Sequence, residues 1–220
     1  MDYQPRSGIP AQQNRRDRLR RLARTQPAWG LGFADEVWWS RLVQPEQHRW
    51  IEEGNIPRLY ARAWGQEDTE PKALACYGLL LRCSPRHADQ MLLRFVEGRP
   101  VSAVTMACLT WCSERLAAQG LTALFLVWDN ASWHKSRAVR TGRRWHNQQV
   151  KATGNGVRIV VCRLPVQSPW LNPIEPKWVH GKRAVAEADR MLSAQELESR
   201  ICAYYRCDPE EHLVMPEKVA

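Results

Sequence analysis

Three acidic residues, each in a distinctive local setting, are the side chains of this sequence best suited to chemistry. Asp35 lies in Phe-Ala-Asp-Glu, Asp129 in Trp-Asp-Asn-Ala-Ser-Trp-His and Glu175 in Asn-Pro-Ile-Glu-Pro-Lys-Trp. A few carboxylates hold Mg²⁺ while leaving coordination positions open for water and phosphate. Two such ions can offset the negative charge that develops when a phosphodiester is attacked. The three residues therefore suggest a two-metal site for cutting and joining DNA.

Each of the three also has a structural explanation that needs no metal. Asp129 follows a run of apolar residues, where Asp commonly caps the next helix. Glu175 follows Asn172 and a proline, a pattern typical of a helix that starts with Asn172 as its N-cap. Asp35 and Glu36 are neighbours in a predicted strand, so their side chains point to opposite faces and only one can face a site. The residue pattern alone does not decide which.

Basic residues lie close to two of these acidic residues in the sequence. A scissile strand needs cationic contacts, and a solvated helix face is the alternative explanation for the same run. His134, within the Asp129 motif, has two interpretations: a residue that orients a water or phosphate, or an exposed or locally bonded histidine, which is the commoner case. The nucleic-acid-binding residues that we predict are Lys135, Arg137, Arg140, Arg143, Arg144 and Lys177.

The composition restricts the class of protein. With 220 residues, 44% of them hydrophobic, the chain can bury one good core. A total of 32 Lys and Arg against 23 Asp and Glu gives a net charge of +9, which favours a nucleic-acid partner. The seven cysteines include no Cys-x-x-Cys pair, so we expect reduced thiols in the cytoplasm. No apolar run approaches the ~20 residues that cross a bilayer, so no membrane partner is expected.

Hydrophobic patterns predict the elements that must position the acidic residues. Strands are predicted at 30–42, 58–64, 73–81, 90–96, 121–128 and 157–162. Helices are predicted at 101–119, 132–153, 173–188 and 194–207. This order predicts an α/β fold in which a mixed central sheet carries helices on both faces, with ligands gathered beyond the carboxyl ends of the central strands. We expect a basic tail or linker at 1–28, the domain at 29–207 and a C-terminal tail at 208–220.

The motifs around the acidic residues resemble one known family. Asp-Asn-Ala-Ser-Trp-His at 129–134, followed by Leu-Pro-Val-Gln-Ser-Pro-Trp-Leu-Asn-Pro-Ile-Glu-Pro-Lys-Trp at 164–178, looks like the DDE catalytic domain of bacterial insertion-sequence transposases related to the Tc1/mariner elements. Phe-Ala-Asp-Glu-Val-Trp-Trp at 33–39 looks like that family's first acidic motif. The resemblance covers about residues 29–207. It implies an RNase H-like fold with Asp35, Asp129 and Glu175 as the acidic triad, holding two Mg²⁺ ions for which Mn²⁺ can substitute.

The same resemblance implies a function and partners. The chain would cut DNA at the inverted-repeat ends of a transposon and transfer the strand to target DNA. Family members usually carry helix-turn-helix domains upstream, so a separate helix-turn-helix subunit or a homodimer is the expected protein partner. Two alternatives stay open at this point: a stand-alone RNase H-like nuclease, and an inactive truncated transposase that only binds DNA or a partner transposase.

Overall fold

One mixed sheet organises the residues described by the computed structural model, which are 9–42, 67–82, 89–165, 168–187 and 190–215. Its strands follow the order β3-β2-β1-β4-β5. Strand β1 pairs antiparallel with β2 and parallel with β4, β2 pairs antiparallel with β3, and β4 pairs parallel with β5. The predicted mixed sheet is confirmed. The strand bounds are β1 (Trp29–Ser40), β2 (Ala73–Arg82), β3 (Gln90–Val96), β4 (Ala123–Trp128) and β5 (Arg158–Arg163).

Helices cover both faces of the sheet. The helices are α1 (Ile9–Thr25), α2 (Ser102–Ala118), α3 (Arg137–Thr153), α4 (Glu175–Val185) and α5 (Ala194–Tyr205). A short 3-10 turn, Pro169–Leu171, precedes α4. Buried residues of α1, α4 and α5 share one hydrophobic core with the sheet, and those of α2 and α3 share the core on the opposite face. None of the helices in the described residues is long and apolar enough to cross a membrane.

The two cores follow from the strand sequences. In β1, Phe33 and Val37 belong to the core under α4 and α5, because alternate residues of a strand share a face. In β4, Phe125 and Val127 join that core while Leu124 joins the opposite one. A strand covered by helices on both faces has no polar side, which explains the continuous apolar run that ends at Trp128.

Both predicted tails contain ordered structure. Residues 9–25 form α1, whose Ala23 is buried while Leu19, one helical turn earlier, packs against the same core. That apolar pair fixes an otherwise arginine-rich segment on the sheet. Near the other end, the Leu213 N–H donates to the Phe95 carbonyl at 2.8 Å, and Leu213 is itself buried. Hydrophobic anchors of one or two residues therefore hold both segments on the domain.

Two helices begin later than the sequence predicts. Helix α3 begins at Arg137 because the Ser136 side chain caps it, accepting the Val139 N–H at 3.2 Å. Helix α4 begins at Glu175 with Ile174 as its N-cap, so the prediction of an Asn172 side-chain cap is wrong. The Asn172 side chain is buried beside β1 and donates elsewhere. The strand predicted at 58–64 lies outside the described residues.

Candidate active site

Asp35 and Asp129 leave adjacent parallel strands on the same face of the sheet. Phe33 of β1 pairs with Val127 of β4, and each acidic residue stands two positions further along its strand direction. Parallel strands lie about 4.8 Å apart and residues two positions apart share a face, so the two carboxylates project side by side. They do so at the carboxyl end of β4, where ligands of such sheets bind.

Glu175 reaches the same face from α4. Its neighbours Ile174 and Trp178 are buried in the core that also holds Phe33 and Val127. The preceding turn is tied to β1, since the Asn172 side-chain amide donates to the Ala34 carbonyl at 3.2 Å. Glu175 is the first residue of its helix, where the N-terminal dipole favours a negative charge. The helix thus brings a third carboxylate to the strand ends.

Electrostatics shows that the three carboxylates repel one another. Burial, followed by the charge of Glu175, raises the pKa of Asp35 to about 8, and the charges of Glu36 and Asp129 act in the same direction. Burial and the charge of Asp129 also raise the pKa of Glu175, although Lys182 opposes the shift. The cluster therefore carries negative charge that the neighbouring side chains do not fully offset.

Trp178 supports Asp35 directly. Its indole Nε1–H donates to Asp35 Oδ2 at 2.9 Å, and the ring is 4% exposed. The ring fits because Gly78, the β2 partner of Asp35, has no side chain. A Cβ at Gly78 would lie 2.2 Å from Trp178 Cη2, which is far inside van der Waals contact. The glycine opposite Asp35 is therefore required for the hydrogen bond.

His134 links Asp129 to Glu36. Its Nδ1 lies 2.6 Å from Asp129 Oδ1 and its Nε2 lies 2.6 Å from Glu36 Oε1. His134 is not exposed, because its side chain is fully buried, but its bond to Asp129, five positions earlier, is local. Glu36 points to the face opposite Asp35, as strand geometry requires, yet it reaches the same strand ends through the imidazole. Of the two acidic neighbours, only Asp35 lies on the face of Asp129, and Glu36 is linked to Asp129 through the imidazole.

The charges of this trio support one another. Burial would lower the pKa of His134, but hydrogen bonds to Asp129 and Glu36 outweigh it and raise the pKa. Burial would raise the pKa of Asp129, but hydrogen bonds from His134 and the Ala131 N–H lower it. Each imidazole nitrogen faces a carboxylate oxygen, and an ionised carboxylate only accepts hydrogen bonds. Both ring nitrogens therefore lie where an N–H would donate to a carboxylate oxygen.

The predicted nucleic-acid-binding residues divide into two groups. Arg143 is partly buried, and its Nη1 donates to the Ile159 carbonyl at 3.3 Å, so it also ties α3 to β5. Arg163, at the end of β5, was not predicted; its Nη2 donates to the His134 carbonyl at 3.1 Å. Its charge helps to lower the pKa of Asp129. The other predicted side chains are exposed: Lys135, Arg137, Arg140, Arg144 and Lys177.

The acidic cluster has the chemistry of a Mg²⁺ site but not a preformed coordination shell. In the part of the chain that the structure describes, no three His, Cys, Asp or Glu side chains converge closely enough to hold a metal ion. Within those same residues, Asp129 Oδ2, Asp35 Oδ1 and both oxygens of Glu175 accept no hydrogen bond. Unpartnered carboxylate oxygens that repel one another are the donors that a hard divalent cation prefers. The residues therefore fit such an ion.

The sequence did not predict the supporting roles of four side chains, and the signals that could have revealed them differ in strength. Arg163 follows the end of a predicted buried strand next to Asp129, a position that could have been found from the sheet order. Trp178 lies three residues after Glu175, one helical turn away. His134 and Glu36 are separated by 98 positions, and no local pattern connects them.

Solved structures of the Mos1 transposase share this fold. Its paired-end complex with the left transposon end has a TM-score of 0.59 at 15% identity, covering 96% of this chain and 58% of that chain. The Mos1 mariner paired-end complex with Mn gives 0.53 at 13% identity, with 96% and 58% covered. The catalytic domain of Mos1 mariner transposase gives 0.51 at 13% identity, with 95% and 85% covered. The chain therefore has the RNase H-like fold, and it spans 58% of the transposase chain in the first complex.

The amino-acid sequence itself supplies the family. The family of DDE superfamily endonucleases matches residues 31–198, a stretch that includes Asp35, Asp129 and Glu175. The chain therefore belongs to the DDE superfamily endonucleases. No curated protein sequence matches the chain at a significant level. The predicted DDE catalytic domain is thus confirmed at the level of family and fold.

Proposed function

We propose that this domain is the catalytic part of a transposase, which cuts DNA at transposon ends and transfers the strand to target DNA. The observation that carries the proposal is the acidic cluster at the carboxyl end of β4, beside the middle of β1. Asp35 and Asp129 share a face there, the charge of Glu175 raises the pKa of Asp35, and the charge of Asp129 raises the pKa of Glu175. The Mos1 structures with a transposon end and with Mn have the same fold, which supports DNA and a divalent cation as the ligands.

Asp35, Asp129 and Glu175 would hold the metal, with two Mg²⁺ ions as the preferred occupants and Mn²⁺ as a substitute. Bound cations of this kind activate a water or a 3′-hydroxyl and offset the charge on the phosphate. The protein supplies the arrangement of the ligands. Trp178 holds one oxygen of Asp35, and the N-terminus of α4 favours the ionised form of Glu175.

Basic side chains near the cluster would bind the DNA backbone. Arg137, Arg140 and Arg144 are exposed on α3 at intervals of three and four residues, so they form one stripe along that helix. Lys135 precedes the stripe, and Lys177 is exposed on α4 two residues after Glu175. Contacts of this kind bind phosphates without reading sequence, and they weaken as salt rises. Recognition of the element's ends would come from a helix-turn-helix subunit or from a second copy of the chain.

A cleavage and strand-transfer assay tests the proposal. The substrate is DNA that carries the inverted repeats flanking the gene, incubated with the protein and Mg²⁺ or Mn²⁺. Asp129→Asn removes a charge from the cluster and should abolish both reactions. Asp208→Asn makes the same chemical change at an exposed position after α5 and is the matched control, with activity expected to equal that of the wild type.

The products separate the candidate functions. Cut ends joined to target DNA support a transposase, and cleavage without joining supports a stand-alone nuclease. Binding without either reaction supports the inactive, truncated form. Full activity of Asp129→Asn would show that the triad is assigned wrongly.

A further inference from the structure

Glu36, His134 and Asp129 form a hydrogen-bonded trio that connects the two faces of the sheet near the carboxyl end of β4. Asp129 projects on the face of Phe33 and Val127, whereas Glu36 projects on the opposite face. The imidazole lies between them, with both nitrogen–oxygen distances at 2.6 Å. Glu36 is 8% exposed, and a buried carboxylate is costly without a partner. His134 offsets that cost, so the three groups depend on one another.

The imidazole cannot turn away from this position. Its ring lies against Trp128, with centroids 3.7 Å apart and planes 36° apart, and the edge of Trp133 closes another side at 5.7 Å. Arg163 Nη2 fixes the His134 carbonyl at 3.1 Å. Packing on two sides and hydrogen bonds at both ring nitrogens hold the ring in one orientation, and Arg163 holds the adjacent backbone, so the imidazole is a rigid support for the groups it contacts.

What the imidazole contacts is one particular oxygen of Asp129. Oδ1 accepts from His134 Nδ1 and also from the Ala131 N–H at 3.0 Å. Oδ2 accepts no hydrogen bond from the described residues, and the Asp129 side chain is 48% exposed. The carboxylate is therefore held by one oxygen and open at the other.

We propose that His134, braced by Glu36, is a positioning residue that fixes the Asp129 carboxylate so that Oδ2 alone is presented to a divalent cation. This inference rests on the proposed function, because it assumes that Asp129 is a metal ligand. It assigns Glu36 a role different from that of its neighbour Asp35: Glu36 orients the imidazole and does not touch the metal. Partners that orient a ligand in this way typically change metal affinity about 10-fold to 100-fold when they are removed.

Two substitutions at His134 separate positioning from mere packing. In His134→Asn the amide nitrogen takes the place of Nδ1, so the donor to Asp129 is kept and the donor to Glu36 is lost. In His134→Gln the amide nitrogen takes the place of Nε2, so the reverse holds. Each variant keeps one of the two hydrogen bonds and loses the ring, and a purely structural role would affect both alike.

Mn²⁺ affinity, measured by calorimetry on the whole chain, is the deciding readout. We expect His134→Asn to bind within about threefold of the wild type and His134→Gln to bind about 10-fold to 100-fold more weakly. Urea unfolding of both metal-free variants should show similar losses of stability. Equal Mn²⁺ affinities for the two variants, with Asp129→Asn clearly weaker, would overturn the positioning role while leaving the metal site intact. A wild type that binds Mn²⁺ no better than Asp129→Asn would instead overturn the metal site.

A measurement without metal independently tests the hydrogen bond from His134 Nδ1 to Asp129 Oδ1. In ¹⁵N-histidine NMR spectra of the metal-free protein, His134 should show two slowly exchanging ring N–H protons, assigned by their loss in His134→Asn. Glu36→Gln keeps an acceptor oxygen and should retain the Nδ1 proton signal. Absence of the Nδ1–H signal from the wild type would refute this hydrogen bond, and with it the positioning role, whatever the metal affinities are.

Discussion

Replacing Gly78 with alanine should damage stability and activity together. A Cβ at this position would lie 2.2 Å from Trp178 Cη2, 2.5 Å from Cζ2 and 3.2 Å from Ile174 Cδ1. The overlap with the indole exceeds 1 Å relative to ordinary contact at about 3.4–4 Å, and Trp178 is a rigid ring buried in the core. The indole must shift, which carries its Nε1–H away from Asp35 Oδ2.

The size of the effect follows from these contacts. Overpacking a well-packed core costs about 1–3 kcal/mol, and losing the hydrogen bond to Asp35 adds about 1 kcal/mol. A total of about 2–4 kcal/mol corresponds to a fall in Tm of roughly 5–15 °C for a domain of this size. Cleavage per folded molecule should also fall, because Asp35 loses the only hydrogen bond that its side chain accepts from the described residues.

Gly32→Ala is the matched control for this experiment. Its Cβ would lie 2.6 Å from Leu79 Cδ1 and 2.9 Å from Leu124 Cδ1, which are the ends of flexible side chains on the opposite face. We expect a loss of about 0–2 kcal/mol and unchanged cleavage per folded molecule. Urea unfolding and cleavage rates, both corrected for the folded fraction, give the comparison. Wild-type stability of Gly78→Ala, or full activity in a destabilised Gly78→Ala, would refute the reasoning.

Three further predictions follow from charge and exposure. Burial and the charge of Glu175 raise the pKa of Asp35 to about 8. The stabilisation that comes from the neutral carboxyl group is therefore fully present at low pH and is lost as pH rises through that value. Metal-free Asp35→Asn should exceed the wild type in unfolding free energy by at least about 1 kcal/mol at pH 9 and by little at pH 5. Trp170 is 62% exposed in the turn before Glu175, so Trp170→Ala should leave Tm unchanged but weaken DNA binding by about 1–3 kcal/mol through lost base stacking. Arg140→Gln with Arg144→Gln should lower the slope of log affinity against log salt concentration by about 1 per lost phosphate contact, as measured by fluorescence anisotropy.

Each of these three predictions has a clear contrary outcome. A pH-independent difference between Asp35→Asn and the wild type would mean that Asp35 titrates normally. Unchanged DNA affinity of Trp170→Ala would exclude stacking at that turn. Arg143→Gln is the comparison for the double variant: since Arg143 Nη1 donates to the Ile159 carbonyl, its loss should lower unfolding stability, and a larger salt effect there than in the double variant would contradict the stripe on α3.

The sequence by itself determined the family and most of the elements. Residues 123–128 are apolar at every position because helices cover both faces of that strand, and such a pattern can be seen in neighbouring residues alone. Ser193 precedes Glu196 by three residues, a pattern typical of a helix start, and its side chain accepts the Glu196 N–H at 3.1 Å at the start of α5. Local patterns of this kind can be recognised without knowledge of the tertiary structure.

The position of the acidic residues within those elements was only partly determined. The motifs single out Asp35, Asp129 and Glu175, but each motif also fits an ordinary strand or helix start. Their proximity depends on the parallel register of β1 and β4 and on the packing of α4, and both are fixed by contacts between distant segments. The N-terminal helix was not predicted to pack on the domain, because an arginine-rich segment resembles a solvated tail. Only the structure shows that Leu19 and Ala23 pack into the core.

Only the tertiary structure decided how the acidic residues are supported. Asp35 and Glu36 look alike in sequence, yet the strand sends one to Trp178 and the other to His134. Gly78 matters because an indole from a helix 100 residues later lies over it. Sequence patterns record what a residue needs from its neighbours in the chain. The hydrogen bonds of His134 to Asp129 and Glu36 connect opposite faces of the sheet, so they exist only once the strand register and both cores have formed.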